Sequence, residues 1–188
     1  VCHALLQDPK FFRLLLRIDA ELAGEARAAG CTCGGVLHRA NYPRKPRGCL
    51  SEVRSEFRWR YSFCCNRCRQ RTTSRSVRFL GRRVYLALVV VLRSIAQAPP
   101  SATGARLATM LDVSVRTLHR WRRWWRQQLP LTAFWQVAAA HFMPPVATAH
   151  CPAGLLERFA GNAADQLLRL LVFLTPVTVM PIAFGEGC

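Results

Sequence analysis

Two short cysteine clusters restrain this chain more than any other feature, because they oblige segments far apart in sequence to meet. One reads Cys31-Thr32-Cys33-Gly34-Gly35 and the other Cys64-Cys65-Asn66-Arg67-Cys68. A pair of cysteines at a sharp turn aims both sulfurs, and some backbone amides, at a single point. Two such knuckles supply the four thiolates that a tetrahedral Zn2+ ion takes. The chain has nine cysteines, an odd number, and residues 1–19 interrupt their apolar character with Asp8, Lys10, Arg13 and Arg17 rather than forming an export signal. Metal-held or simply reduced thiols are therefore expected in place of a disulfide framework. Cys31, Cys33, Cys65 and Cys68 are the expected ligands of Zn2+, with Cys64 an alternative to Cys65 and with His38 and Cys49 in reserve.

The second cluster follows Phe57-Arg58-Trp59-Arg60-Tyr61-Ser62-Phe63, where aromatic and polar residues alternate as on a strand. It precedes Arg69-Gln70-Arg71-Thr72-Thr73, a plausible returning strand. A hairpin with Cys65-x-x-Cys68 at its tip is how a zinc ribbon is built, and Arg60 to Thr73 resembles the zinc ribbons found before the catalytic domains of insertion-sequence transposases. Between the clusters runs Arg39-Ala40-Asn41-Tyr42-Pro43-Arg44-Lys45-Pro46-Arg47-Gly48. Two prolines and a glycine exclude a regular helix here. The segment is expected to be an extended basic arm, which can follow a minor groove, or an ordinary solvated loop.

A third pattern runs from Leu107 to Trp125. Ser114 is suited to cap a helix, and the residues before it, Leu107-Ala108-Thr109-Met110-Leu111-Asp112, read as a shorter helix and a turn. At 100° per residue from Arg116, Arg120 lies at about 40° and Arg123 at about 340°, with His119 at about 300°. Leu118, Trp121 and Trp125 lie at about 200°, 140° and 180°, so the helix has an arginine face and an aromatic-aliphatic face. Two helices with a tight turn make a helix-turn-helix, whose second helix enters the DNA major groove. Leu107-Ala108, Leu111, Val113-Ser114, Thr117-Leu118 and Arg120-Trp121 resemble that motif in bacterial transposases and site-specific DNA-binding proteins. Asp112 departs from it, standing where glycine is usual. The resemblance implies that Ser114, Arg116, Thr117, His119, Arg120 and Arg123 face duplex DNA.

Charge agrees in its distribution. The formal net charge is +17. Residues 39–83 hold fourteen basic and two acidic groups, and residues 104–126 hold six basic groups and Asp112. Clustered positive charge of this kind suits nucleic acid. The arginines between Arg39 and Arg83, together with Lys45 and including Arg44, Arg47, Arg69 and Arg71, are expected to hold phosphates and fix register. The apolar run Val84–Leu92 is bounded by Arg83 and Arg93, too short for a membrane span of about 20 residues. It reads as the buried first helix of a DNA-binding bundle, ended by Pro99-Pro100.

These readings predict a mainly α fold, a helix-turn-helix bundle with a small β-hairpin zinc ribbon. Its expected parts are an N-terminal helix (1–30, with Phe11, Leu14, Leu15, Ile18 and Leu22 inward), the ribbon and basic loop (31–80), the helix-turn-helix domain (81–130) and a helical tail (131–188). The tail is expected to hold helices over 132–142, 153–159 and 163–174 and to be loose from Thr175. The acids, Asp8, Asp19, Glu21, Glu25, Glu157 and Asp165 among them, look like caps or helix-surface groups, so the three-carboxylate, two-metal site of common transposases is not expected. The chain is thus expected to be a non-catalytic, sequence-specific DNA-binding protein of the bacterial cytoplasm or nucleoid. The resemblance implies a mobile-element role, at transposon ends or beside a separate catalytic transposase subunit, with a homodimer as one form. A transcriptional repressor, an RNA-binding protein and a protein-interaction adaptor are the alternatives.

Overall fold

The computed structural model describes residues 2–80, 85–95 and 113–179. The fold is mainly helical with two small sheets. Packing divides the chain into two units: Gln7–Leu86 with Val172–Cys188, and Val1–Leu6 with Ala87–Leu171.

The cysteine-bearing unit begins with helix α1, Pro9–Ala28. Asp8 caps it by accepting a hydrogen bond from the Lys10 amide at 2.9 Å, and Pro9 takes the first turn, where a missing N–H costs nothing. Gly30, at φ +72°, turns the chain away. Phe12, Leu15, Asp19 and Ala23 are buried along one line, while Leu14, Ile18 and Leu22 are half-buried. The inward face is thus rotated from the expected one. An acid lies at its centre because Asp19 finds partners there.

Strands β1 (Leu37–Arg39) and β2 (Tyr42–Pro43) come next, then helix α2 (Arg54–Phe57) and strands β3 (Trp59–Arg60), β4 (Ser62–Cys65) and β5 (Arg71–Thr73). β4 is the centre of an antiparallel sheet ordered β1-β4-β5, and β2 pairs with β3. The segment expected as an extended arm is therefore partly sheet. Tyr42 lies opposite Arg60 and Pro43 opposite Trp59; Pro43, which has no N–H to donate, occupies an edge. The aromatic stretch from Phe57 is broken into a helix end and two strands rather than forming one strand.

Phe12 and Phe57 meet with ring centroids 5.4 Å apart. Beside them the Asp19 carboxylate accepts from Ser76 Oγ at 2.6 Å, from the Val77 amide at 2.6 Å and from Arg78 Nε at 2.7 Å. Both members of the ion pair are wholly buried. Asp19 is thus a core residue and not the helix-surface group expected. The tail is not loose at Thr175 either: Thr175, Val177 and Thr178 are buried, and Thr178 Oγ1 accepts from the Ser76 amide at 3.1 Å.

The second unit is helical. Helix α3, Ala87–Ile95, is buried along Leu88–Leu92. Pro99-Pro100, the first helix of the expected motif (Leu107–Leu111) and its turn at Asp112 lie outside the described residues. Helix α4, Val115–Arg123, is capped by Ser114, whose Oγ accepts from the Thr117 amide at 3.2 Å. It continues into a π-helical turn, Trp124–Gln128. Trp121, Trp124 and Trp125 are buried, the last two edge-to-face at 4.9 Å. Trp125 Nε1 donates to Ser94 Oγ at 3.1 Å, which donates to the Val90 carbonyl at 2.6 Å, so the indole N–H is satisfied inside the core.

Thr132 caps helix α5, Ala133–Ala138, as expected from its hydroxyl, but a 3-10 turn over Ala139–His141 follows in place of a helix to residue 142. Helix α6 is only Ala153–Leu156, and α7 is Ala163–Phe173. Among the described residues no helix is long and apolar enough to cross a membrane.

Candidate metal centre and nucleic-acid interface

β4 and β5 form a hairpin whose connecting turn carries Cys65 and Cys68, and the Cys31–Gly35 turn leads into β1 beside it. Cys31, Cys33, Cys65 and Cys68 consequently meet, with all four sulfurs within 4.8 Å of one another. Sulfurs of Cys31 and Cys68, of Cys31 and Cys33, and of Cys33 and Cys65 are each 3.5 Å apart. A tetrahedron of sulfurs about 2.3 Å from a central ion has edges of about 3.8 Å, so this donor set fits a metal ion without rearrangement.

Strand parity settles which neighbour takes part. Leu37 pairs with Cys65 and His38 with Cys64. Successive strand residues face opposite sides, so Cys65 joins Leu37 on the buried side while Cys64 and His38 share the other. Cys64 Sγ instead lies 3.5 Å from the Arg69 carbonyl. Cys49 is buried elsewhere, and burial pushes its thiol up to about 11. None of these three belongs to the cluster.

The local backbone serves the sulfurs. A Cβ at Gly35 would fall on Cys65 Sγ and within 2.8 Å of Arg67 Cβ, so only glycine lets the two knuckles close. The Arg67 amide donates to Cys65 Sγ at 3.3 Å, and Arg67 Nη1 ties the knuckles together by donating to the Cys33 carbonyl at 3.0 Å. Hydrogen bonds from the backbone of Cys68 and, more weakly, Arg67 outweigh desolvation and hold the Cys65 thiol down to about 6. At Cys68 the Gln70 amide pulls downward, but desolvation and the neighbouring thiols outweigh it and push the group up to about 12. One sulfur is thereby favoured as thiolate and another as thiol, the pattern expected where four thiols crowd one space.

Each unit also carries exposed basic residues. Arg69 and Arg71 are exposed on and beside β5, and Arg69 takes a left-handed conformation at φ 60°. Arg71 lies over Tyr42 at 5.7 Å and Arg47 over Tyr85 at 5.7 Å, both exposed; Lys45 is exposed, and half-buried Arg44 lies over Phe79 at 5.8 Å. Not every arginine of this block can hold a phosphate. Arg60 is 2% exposed and donates to the Ser74 carbonyl at 2.6 Å. Arg78, fully buried, lies within 5.1–5.3 Å of the Phe57, Tyr61 and Phe79 rings, which accounts for an Nη1 with no hydrogen-bond partner among the described residues.

On α4 the separation of faces matches expectation. Arg116, His119, Arg120 and Arg123 are exposed, Thr117 and Leu118 are half-buried, and Trp121 is 1% exposed. Ser114 is exposed at the helix start. Arg123 Nε donates to Gln127 at 2.9 Å, one turn on. The chain matches no family model, no curated protein and no solved structure.

Proposed function

We propose that this chain is a non-catalytic, sequence-specific duplex-DNA-binding protein whose α4 reads the major groove and whose four-cysteine centre holds Zn2+. The carrying observation is the division of α4: exposed Arg116, Arg120 and Arg123 back onto a core of buried Trp121, Trp124 and Trp125, behind an N-terminus capped by Ser114. A helix so anchored presents arginines on a rigid body, which suits bidentate recognition of guanine edges. Zn2+ is the ion best suited to four thiolates. It would hold the hairpin that carries Arg69 and Arg71, whose guanidiniums would meet phosphates. Resemblance to transposon proteins extends the reading to a mobile-element role; an operator-binding repressor would use the same residues.

The test is a pair of variants. Arg120→Ala is expected to relax base preference at one position by about 1–3 kcal/mol. Arg71→Ala is expected to weaken all duplexes alike and to reduce the salt slope by about one unit. Sequences selected from a random DNA pool supply the ligand. Identical behaviour of the two variants, or displacement of duplex by structured RNA at equal salt, would refute the reading.

A further inference from the structure

The helical unit contains a cavity of about 510 Å3 that neither the thiol cluster nor the major-groove face of α4 uses. Its lining includes Arg122 and Arg126, the segment from Ala149 through His150 to Gly154, and Glu157. The back wall is fixed, since Ser94, also on the lining, is held by Trp125 and Val90. Within that segment Gly154 packs tightly on His150: a Cβ there would stand 3.3 Å from His150 Cβ.

Arg122 and Arg126 are four residues apart, on adjacent turns of one helical face. Two guanidiniums so placed can donate to different oxygens of one phosphoryl group, which accepts from both in strong, charge-assisted bonds. Glu157 is the single acidic group of the lining among the described residues, against two arginines, so the described lining is positive overall. A lone phosphate would leave most of the space empty. The volume falls within the range of about 300–1,000 Å3 typical of small-molecule sites, with room for a sugar and a base. A carboxylate on the same lining can accept from the exocyclic amine of a base. Arg122 and Arg126 also line an open groove of about 440 Å3 with His119, Arg123 and Gln127. The cavity and this groove therefore share Arg122 and Arg126 as lining residues.

We propose that this cavity is a nucleotide site, in which Arg122 and Arg126 hold the phosphate and Glu157 faces the base. The occupant is a nucleoside phosphate, from either of two sources: a free mononucleotide, or one nucleotide of a bound strand turned out of its stack. The second source rests on the DNA-binding function proposed above; the first does not.

The full-length chain is titrated with deoxyadenosine monophosphate, deoxyadenosine and inorganic phosphate, and with a duplex carrying 2-aminopurine. Saturable binding of the mononucleotide, tighter than that of the nucleoside or phosphate, is expected. Arg126→Ala should weaken it at least about tenfold, the loss of one charge-assisted bond, and Ala149→Phe should abolish it by filling the space. A rise in 2-aminopurine fluorescence that Ala149→Phe removes identifies the strand as source; mononucleotide binding without that rise identifies the free nucleotide. Absence of both signals, their persistence in Ala149→Phe, or phosphate binding as tightly as the mononucleotide would overturn the assignment. Mononucleotide binding in a chain that fails to bind any duplex would refute the function proposed above and leave this site standing.

Discussion

Replacing Asp19 by alanine should be among the most damaging single changes to the cysteine-bearing unit, although residue 19 is itself neither a member of the thiol cluster nor a candidate DNA contact. Its carboxylate receives Ser76 Oγ, the Val77 amide and Arg78 Nε, all at 2.6–2.7 Å, where no solvent reaches the ion pair. Removing it strands a buried guanidinium together with two other donors. Breaking a buried pair from one side costs about 3–5 kcal/mol, a large part of a typical total stability of about 5–15 kcal/mol. Asp19→Asn should cost less, because an amide oxygen can still accept from Val77 while its NH2 opposes Arg78. Adding Arg78→Met to Asp19→Ala removes the stranded charge. The double variant should therefore be less destabilised than the sum of the two singles by about 2–3 kcal/mol, towards the upper end of couplings between contacting groups. Urea unfolding of the four proteins, followed by circular dichroism with saturating zinc, gives the cycle. A coupling below about 0.5 kcal/mol, or an Asp19→Ala cost below about 1 kcal/mol, would refute the account, since the pair would then be no tighter than one at the surface.

Metal analysis of the purified chain should find about one Zn2+ per molecule; Cys33→Ser should lower that content sharply, whereas Cys64→Ser, altering a sulfur on the opposite strand face, should leave it unchanged. Ser114→Ala should destabilise α4 by about 1 kcal/mol, read as a lower thermal midpoint, and an unchanged midpoint would show the cap to be idle. Cys49 and Cys151, whose thiols burial raises from 9.0 to about 11, should resist iodoacetamide at pH 8 until the chain unfolds. Because the folded values are the higher, the stability these two thiols contribute is complete below pH 9 and is lost as pH rises towards 11; stability that climbs through this interval after substitution of every other titrating cysteine would contradict the sign.

The gathering of four cysteines was legible because each knuckle is local, encoded within a few residues. Choosing Cys65 over Cys64 needed only the pleat, once Leu37 and Phe63 are seen to mark the buried side of β1 and β4. The helix caps Asp8, Ser114 and Thr132 were equally local. What sequence hid depends on distance along the chain. Asp19 and Arg78 are 59 positions apart, and nothing near either residue distinguishes an acid or a base destined for the core from one destined for solvent. The same blindness counted Arg60 and Arg78 among the phosphate-holding arginines. The nucleotide cavity was also hidden, since Arg122 and Arg126 gain their meaning from a loop about thirty residues later. Likewise, the π turn lets the tryptophan-rich end of α4 continue past the point where an arginine stripe alone would suggest an end.

The thiol cluster has a kinetic consequence as well as a static one, because two long-range contacts are nested. Cys31 and Cys68 are 37 positions apart and lie inside the 59-residue span that Asp19 and Arg78 close. Once an ion pins the inner pair, the path still to be closed shortens to about 22 residues, which lowers the entropic cost of the outer contact by about 0.9 kcal/mol. If that contact forms at the folding barrier, a bound metal ion would speed refolding of this unit by about fourfold. The ion would then decide when helix α1 docks, as well as how firmly the hairpin is held.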